Sequence, residues 1–298
     1  MANKAGFVTI IGRPNVGKST LLNQILGQKV AITSDKPQTT RKRIRGFHTT
    51  SEGQIVFIDT PGVHKPLYKL GEFLLDEAKF AVPDADLILF LVDAQDPPGR
   101  GDEWIVQNIL NVDIPIIIVV NKVDLIKDMQ KREENVLAYK TMFKDNLPLV
   151  KISAKTGRNV DTLVKNIYRK LPKGENMYDE EETTDQTVRE IATEIIREKV
   201  LINTREEVPH SIAVVIEKFE EKDTLNKIIA TIYVEHDSQK GIIIGKQGQM
   251  LKKIGQTARE EIEKLDDKKV FLDLQVKIQK DWRKKDKSLK NFGYFQDI

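Results

Sequence analysis

Cysteine is missing altogether from this chain of 298 residues, and tryptophan occurs only twice. Without cysteine there is neither a disulfide framework nor a thiolate metal site, which suits a soluble cytosolic protein. Histidine is scarce: His48, His64, His210 and His236 lack metal-ligand spacing, and each is expected at the surface or in a turn. Long apolar runs are also lacking. A membrane span needs ~18 consecutive apolar residues, whereas residues 87–92 and 116–120 are the size of strands. A strand is expected from Phe7 onwards, so no signal peptide is expected. Nor does one charge dominate, since 48 basic against 45 acidic side chains leave +3. The length leaves room for about two domains, each able to bury a core.

What is present begins at residue 12. Gly12-Arg13-Pro14-Asn15-Val16-Gly17-Lys18-Ser19, followed by Thr20, fits the phosphate-loop pattern G-x-x-x-x-G-K-[ST]. In front lies the β-prone run 7–11. Behind it, Leu21, Leu22, Ile25 and Leu26 recur at helical spacing until Gly27. Strand, glycine loop and helix in that order turn a pattern match into a nucleoside triphosphate site. Gly12 and Gly17 carry no Cβ, so backbone N–H groups can converge on phosphate oxygens, and the helix N-terminus adds its positive end. Lys18 is expected to reach the β- and γ-phosphates and Ser19 to place its hydroxyl on Mg²⁺.

The base is specified by Asn121-Lys122-Val123-Asp124, at the end of the buried-strand run 114–120. Open α/β sheets bind ligands at such strand ends. A carboxylate at Asp124 can accept from the N1–H and the exocyclic amine of guanine, a pair that adenine does not offer. Sites built this way discriminate by ~10⁴–10⁵-fold. Asn121 is expected to tie this loop to the phosphate loop, and the stem of Lys122 to lie along the base or ribose. The run 54–58 delivers Asp59-Thr60-Pro61-Gly62, in which Asp59 suits Mg²⁺ through water and the Gly62 N–H suits the γ-phosphate. The run 150–152 leads to Ser153-Ala154-Lys155, with the Ala154 N–H expected on guanine O6. Polar, basic residues 33–45 contain Gln38-Thr39-Thr40-Arg41. A threonine hydroxyl there, Thr40 in preference to Thr39, would complete the Mg²⁺ shell only while the γ-phosphate is present, which makes the segment a switch. Lys18, Thr40 and Gly62 are the expected catalytic positions.

Up to about Leu171, strand-like runs alternate with helical patterns, as in a doubly wound α/β sheet, with one antiparallel hairpin around Glu52-Gly53. Residues 173–186 then read as an acidic linker with little to bury. Beyond it the order is α-β-β-α-α-β. Gly245-Lys246-Gln247-Gly248, behind Ile242-Ile243-Ile244, joins the two later helices. A G-x-x-G loop lets a nucleic-acid backbone approach, Lys246 neutralises phosphate, and the isoleucines wall a groove for about four nucleotides, as in K-homology domains. From Lys268 to Ile298, nine basic residues face four aspartates, a local excess that points to a polyanion. The expected domains are therefore residues 1–172 for GTP, 173–186 as linker and 187–298 for RNA.

The motifs of both halves together resemble the Era family, bacterial GTPases of small-ribosomal-subunit assembly. The GTPase motifs recur in many relatives; their fusion to one C-terminal K-homology domain is what marks this family. The resemblance implies an α/β P-loop GTPase fold, a doubly wound sheet followed by a smaller α+β type II K-homology RNA-binding domain. It implies Mg²⁺ with GTP or GDP, and binding to the 3′ end of 16S ribosomal RNA and the 30S subunit through Ile243, Ile244, Gly245, Lys246, Gln247 and Gly248. Lys284, Lys285 and Lys287 of the basic tail are expected to add phosphate contacts. It also implies a cytoplasmic protein with some peripheral membrane association; a monomer without a DNA partner is expected. Val63 stands where Ras-like GTPases carry a water-orienting glutamine, so slow hydrolysis is expected. Relatives with asparagine at the place of Asn15 use K⁺ beside the phosphates, so K⁺ activation is expected too. The rival readings are a translation- or tRNA-modification GTPase of the same subgroup, and an RNA chaperone whose nucleotide site does not turn over.

Overall fold

The computed structural model describes residues 3–36, 38–63, 65–66, 68–143, 146–205 and 208–294. His64 and the last four residues of the basic tail lie outside them. The chain divides into two compact units, one formed by residues 1–33, 38–67 and 74–185, the other by 34–37, 68–73 and 186–298.

The first unit is built on β1 (Lys4–Ile11), β2 (Ile44–Thr50), β3 (Gly53–Asp59), β4 (Leu87–Asp93), β5 (Ile116–Asn121) and β6 (Leu149–Lys151). They form one sheet in the order β2-β3-β1-β4-β5-β6, parallel except for the antiparallel β2–β3 hairpin. The helices are α1 (Lys18–Leu26), α3 (Arg100–Asn108), α4 (Met129–Thr141), α5 (Val160–Lys170) and, from Leu74 onwards, α2 (Lys69–Phe80), whose earlier residues count with the second unit. A parallel sheet covered on both faces must be apolar at every position, and β4 and β5 are buried along their whole length. Alternation still sorts their side chains: Ile10, Leu89 and Val119 join one core, while Ile11, Phe90 and Val120 join the other. Register places Ile10 beside Asp59 and Asp93 beside Asn121, so the C-terminal ends of β1, β3, β4 and β5 share one edge. That edge carries the expected site.

Helix α2 is not among the expected elements. Its apolar stripe is nevertheless present, with Leu70, Phe73, Leu74 and Ala78 all buried. The stretch read as a linker also does more than span. Tyr178 stacks on Phe47 with ring centroids 3.9 Å apart, and Gln54 Oε1 accepts from the N–H groups of Met177 and Tyr178. The Phe47 N–H donates to the Thr183 carbonyl at 2.9 Å, which occupies part of the β2 edge. Asp185 closes the strap through Arg45, 3.0 Å away.

In the second unit, β7 (Ala213–Glu221), β8 (Leu225–Val234) and β9 (Lys269–Ile278) lie in that order, with β7–β8 antiparallel and β8–β9 parallel. Its helices are α6 (Val188–Asn203), α7 (Asp237–Ile244), α8 (Gln249–Asp266) and α9 (Asp286–Asn291). Thr187 and Glu190 form a reciprocal cap at the start of α6. On α6, Ile195, Val200 and Leu201 are buried, as their helical spacing predicts, while Val188 and Ile191 are half-buried, so the buried face is shifted from that stripe. It carries Ala192, Ile195, Ile196, Val200 and Leu201, together with the charged Arg197 and Glu198. Arg197 pairs with Glu194, and Glu198 with Lys199. The C-terminal segment is more than a basic tail: Trp282 is fully buried, donates to the Ser211 carbonyl at 2.8 Å and stacks on Tyr294.

Candidate functional site

Loop 12–17 joins β1 to α1 at the shared edge. Its two glycines are needed for different reasons. A Cβ on Gly12 would lie 2.3 Å from the Leu91 carbonyl oxygen, so that glycine serves close packing against β4. Gly17 sits at φ 101°, where L side chains are strained, and its Cβ would meet the Asn121 amide at 2.4 Å. Lys18 folds back onto the loop, its ammonium donating to the carbonyls of Gly12 at 3.2 Å and Arg13 at 3.0 Å. Burial pushes the Lys18 ammonium down to about 8, against the opposing pull of Asp59.

Ser19, Thr40 and Asp59 meet in one cluster. The Ser19 hydroxyl donates to Asp59 Oδ2 at 2.7 Å and lies 2.8 Å from the Thr40 hydroxyl, which itself is 3.4 Å from the same carboxylate oxygen. Burial pushes the Asp59 carboxyl up, while Lys18, Ser19 and Thr40 pull it down. Asp59 Oδ1 is buried with no hydrogen-bond partner among the described residues. A buried carboxylate with an orphaned oxygen, flanked by two hydroxyls, is the donor set of a hard cation such as Mg²⁺. Of the two adjacent threonines, Thr40 is the one in this cluster. Thr60 faces elsewhere, its hydroxyl donating to the Ile10 carbonyl at 2.7 Å, so its side chain serves the framework. A Cβ on Gly62 would fall 2.6 Å from Pro14 Cα, so only glycine lets this segment press against the phosphate loop. Val63 is buried in the core beside Ile11 and Ala78, and its N–H donates to the Gly12 carbonyl at 3.2 Å.

At the end of β5, Asn121 is almost fully buried. Its amide donates to the Val16 carbonyl and its oxygen accepts from the Ala154 N–H, both at 2.8 Å. Through the second bond the Ala154 N–H is held by Asn121. Lys122, at φ 62°, pairs with Asp93 at 2.6 Å. Asp124 and Lys155 are exposed, while Ser153 is buried and its oxygen accepts from the Thr156 N–H at 3.2 Å. Sequence reasoning misses Asp93, since only the register of β4 with β5 brings it to Asn121. The Arg13 guanidinium takes no part in the loop. It turns away from the loop to Asp102 and Tyr139.

In the second unit, Gly245-Lys246-Gln247-Gly248 forms the turn between α7 and α8, with Lys246 and Gln247 exposed. A Cβ on Gly245 would clash with Met250 at 2.7 Å, whereas Gly248, at φ 76°, has nothing within 4 Å. Ile243 corrects the expectation of an RNA contact: it is fully buried and anchors α7 in the core. Ile244 is half-buried and Ile242 exposed. A cavity of about 450 Å³ opens from Gly248 along α8 and β9, lined by Leu251, Lys252, Gly255, Gln256, Arg259, Leu272 and Leu274. The lining residues of α8 are not among the expected ones, although Gly248, Lys252, Gly255 and Arg259 recur every three or four residues, which is one helix stripe. Lys284, Lys285 and Lys287 are exposed. No helix of the described residues is long and apolar enough to cross a membrane, and none of their His, Asp and Glu side chains group three together as a metal site.

Known proteins match this arrangement. Residues 7–122 match the family described as 50S ribosome-binding GTPase, and residues 207–283 match the KH domain. The chain is 50% identical over 296 residues to a GTPase Era of Halothermothrix orenii, covering 99% of each. It is 50% identical over 301 residues to a GTPase Era of Caldanaerobacter subterraneus subsp. tengcongensis, covering 100% of each. Among solved structures it resembles Era in complex with MgGDPNP and nucleotides 1506–1542 of 16S ribosomal RNA. The TM-score is 0.95 at 42% identity, over 99% of this chain and 100% of that one.

Proposed function

We propose that this chain, which belongs to the Era family of GTPases, is a slow GTP-driven switch that holds ribosomal RNA. The observation that carries the reading is the meeting of Ser19, Thr40 and Asp59 around one orphaned carboxylate oxygen. Ser19 and Thr40 would hold Mg²⁺ directly and Asp59 through water; bound there, the ion supplies charge neutralisation at the β- and γ-phosphates. Lys18 leaves the Gly12 and Arg13 carbonyls for the phosphates, while the backbone of residues 12–20 cradles them. Gly62 offers its N–H to the γ-phosphate, with Thr60 and Pro61 setting its approach. Asp124 selects guanine, Lys122 lies along the base or ribose, and residues 153–155 back the base loop. Thr40 belongs to residues 33–45, so loss of the γ-phosphate releases that segment.

Val63 has no group that could orient water, which favours slow turnover. Asn15 is the residue on which a K⁺ requirement would rest. On the RNA side, Lys246 and Gln247 stand out from the turn, Gly248 leaves open space for a phosphate backbone, and the cavity beside it suits unstacked bases. Ile244 edges that groove, Gly245 sets the turn, and Lys284, Lys285 and Lys287 steer phosphate. The relative's complex with 16S ribosomal RNA supports the 3′ end of that RNA as ligand, with assembly of the 30S subunit as the process served. A cytoplasmic protein touching the membrane periphery fits the family. Sequencing RNA crosslinked in the GTP and GDP states, with phosphate release measured alongside, tests the whole reading. RNA recovered equally in both states would remove the switch.

A further inference from the structure

The Arg13 side chain turns out of the phosphate loop, and its surroundings are built to receive it. Its Nε forms an ion pair with Asp102 Oδ1 at 2.9 Å, outside hydrogen-bond geometry, and its Nη2 donates to the Tyr139 hydroxyl at 3.4 Å. Asp102 and Tyr139 are both fully buried. Asp102 divides its oxygens, since Oδ2 accepts from the Gly99 N–H at 2.9 Å and starts α3, which leaves Oδ1 for the guanidinium. The arginine stem crosses the start of α3 where a side chain would obstruct it: a Cβ on Gly101 would stand 3.0 Å from Arg13 Cδ. Helices α3 and α4 therefore converge on one side chain. On the inner side of the same backbone, the Gly12 carbonyl accepts from the Val63 N–H and Pro14 lies against Gly62.

We infer that Arg13 is a positioning residue for GTP turnover: clamped by Asp102 and Tyr139, it holds residues 12–14 in the register that seats Gly62 against the γ-phosphate. The inference rests on the nucleotide site proposed above. It separates two kinds of loop residue. Those around Gly17–Ser19 bind phosphate whether or not a γ-phosphate is present. Arg13 acts on the arm that abuts Gly62, so its loss should be felt by GTP chemistry and hardly by GDP. The guanidinium touches no reacting atom in this role. A misplacement of an ångström or less at a positioned group costs up to ~10²-fold in rate, so the energetic lever is large enough.

The test uses the full chain, with GDP affinity, single-turnover phosphate release from GTP, and thermal unfolding measured for each variant. Arg13→Met is expected to slow phosphate release by roughly tenfold or more, with GDP affinity nearly unchanged. Arg13→Lys, which keeps a cation for Asp102, is expected to recover most of the rate. Asp102→Asn keeps the helix cap and removes the charge; it should show the same split more weakly and serves if Arg13→Met does not fold. Rates that track the fall in melting temperature, with GDP and GTP affinities falling together, would overturn the proposal and leave a structural pin. Unchanged phosphate release in both variants would overturn it equally. Failure of the unaltered chain to release phosphate would instead remove the nucleotide reading beneath it.

Discussion

Asn121 joins the phosphate loop to the base loop, its amide donating to the Val16 carbonyl and its oxygen accepting from the Ala154 N–H, both at 2.8 Å. Three segments far apart in sequence thus share one buried side chain. Replacement by alanine leaves a buried carbonyl and a buried N–H unpaired, at about 1–3 kcal/mol each. Asn121→Ala is expected to lose roughly 2–4 kcal/mol in urea unfolding and to release nucleotide faster. Asn121→Asp keeps the acceptor for Ala154 but sets a buried carboxylate oxygen against the Val16 carbonyl, so it should be at least as destabilising as alanine.

Base choice should follow Asp124. Asp124→Asn is expected to weaken GTP by ~2–5 kcal/mol and to favour xanthosine triphosphate, whose 2-carbonyl pairs with an amide. Competition between the two nucleotides against a fluorescent GDP checks this. Since Asp124 is exposed in the structure, unfolding of the nucleotide-free chain should be unaltered.

Turnover should respond to the monovalent cation through Asn15. Replacing K⁺ by Na⁺ is expected to slow phosphate release in the intact chain and to leave Asn15→Ala nearly indifferent. Equal rates in the two salts would remove K⁺ from the reading. Removing Mg²⁺ with a chelator should weaken GTP more than it destabilises the fold, because the Ser19–Thr40–Asp59 cluster is already assembled by its own hydrogen bonds.

At Gly248 two substitutions separate backbone strain from charge. The position has φ 76° and open space, so a Cβ meets no neighbour. Gly248→Asn tolerates that backbone conformation and adds no charge; Gly248→Asp adds a negative charge where phosphate would come. RNA binding should collapse for aspartate and weaken modestly for asparagine, with GTP binding normal in both. Neutralising Lys284, Lys285 and Lys287 should instead weaken all sequences alike. The salt dependence should flatten by up to about 0.7 for each phosphate left without its lysine.

The strap over β2 should matter for the first unit. Tyr178→Ala removes the ring that covers Phe47 and is expected to cost roughly 1–3 kcal/mol. Limited proteolysis should then cut within residues 173–185 sooner than in the unaltered chain. An unchanged cleavage rate would mean that the stack does not hold the strap.

Much of this protein is legible from spacing alone. Helix α1, the β2–β3 hairpin and the α-β-β-α-α-β order of the second unit follow from neighbours two, three or four residues apart, and local periodicity records such neighbours. The phosphate loop is equally plain, because its chemistry lies in eight consecutive residues. Tertiary structure decides what depends on distant partners. The direction of Arg13 depends on Asp102 and Tyr139, and the cover over Phe47 depends on Tyr178. The Ala154 N–H is claimed by an asparagine 33 residues away. Ile243 stands in an isoleucine run whose members are alike in sequence, and only the packing of α7 sends that one inward. Gly12 and Gly17 fit the same motif, yet one answers to a carbonyl on β4 and the other to a left-handed backbone. A residue's type says what chemistry it can do; which partner it meets is settled by chain topology, because burial leaves each polar group few places to be satisfied.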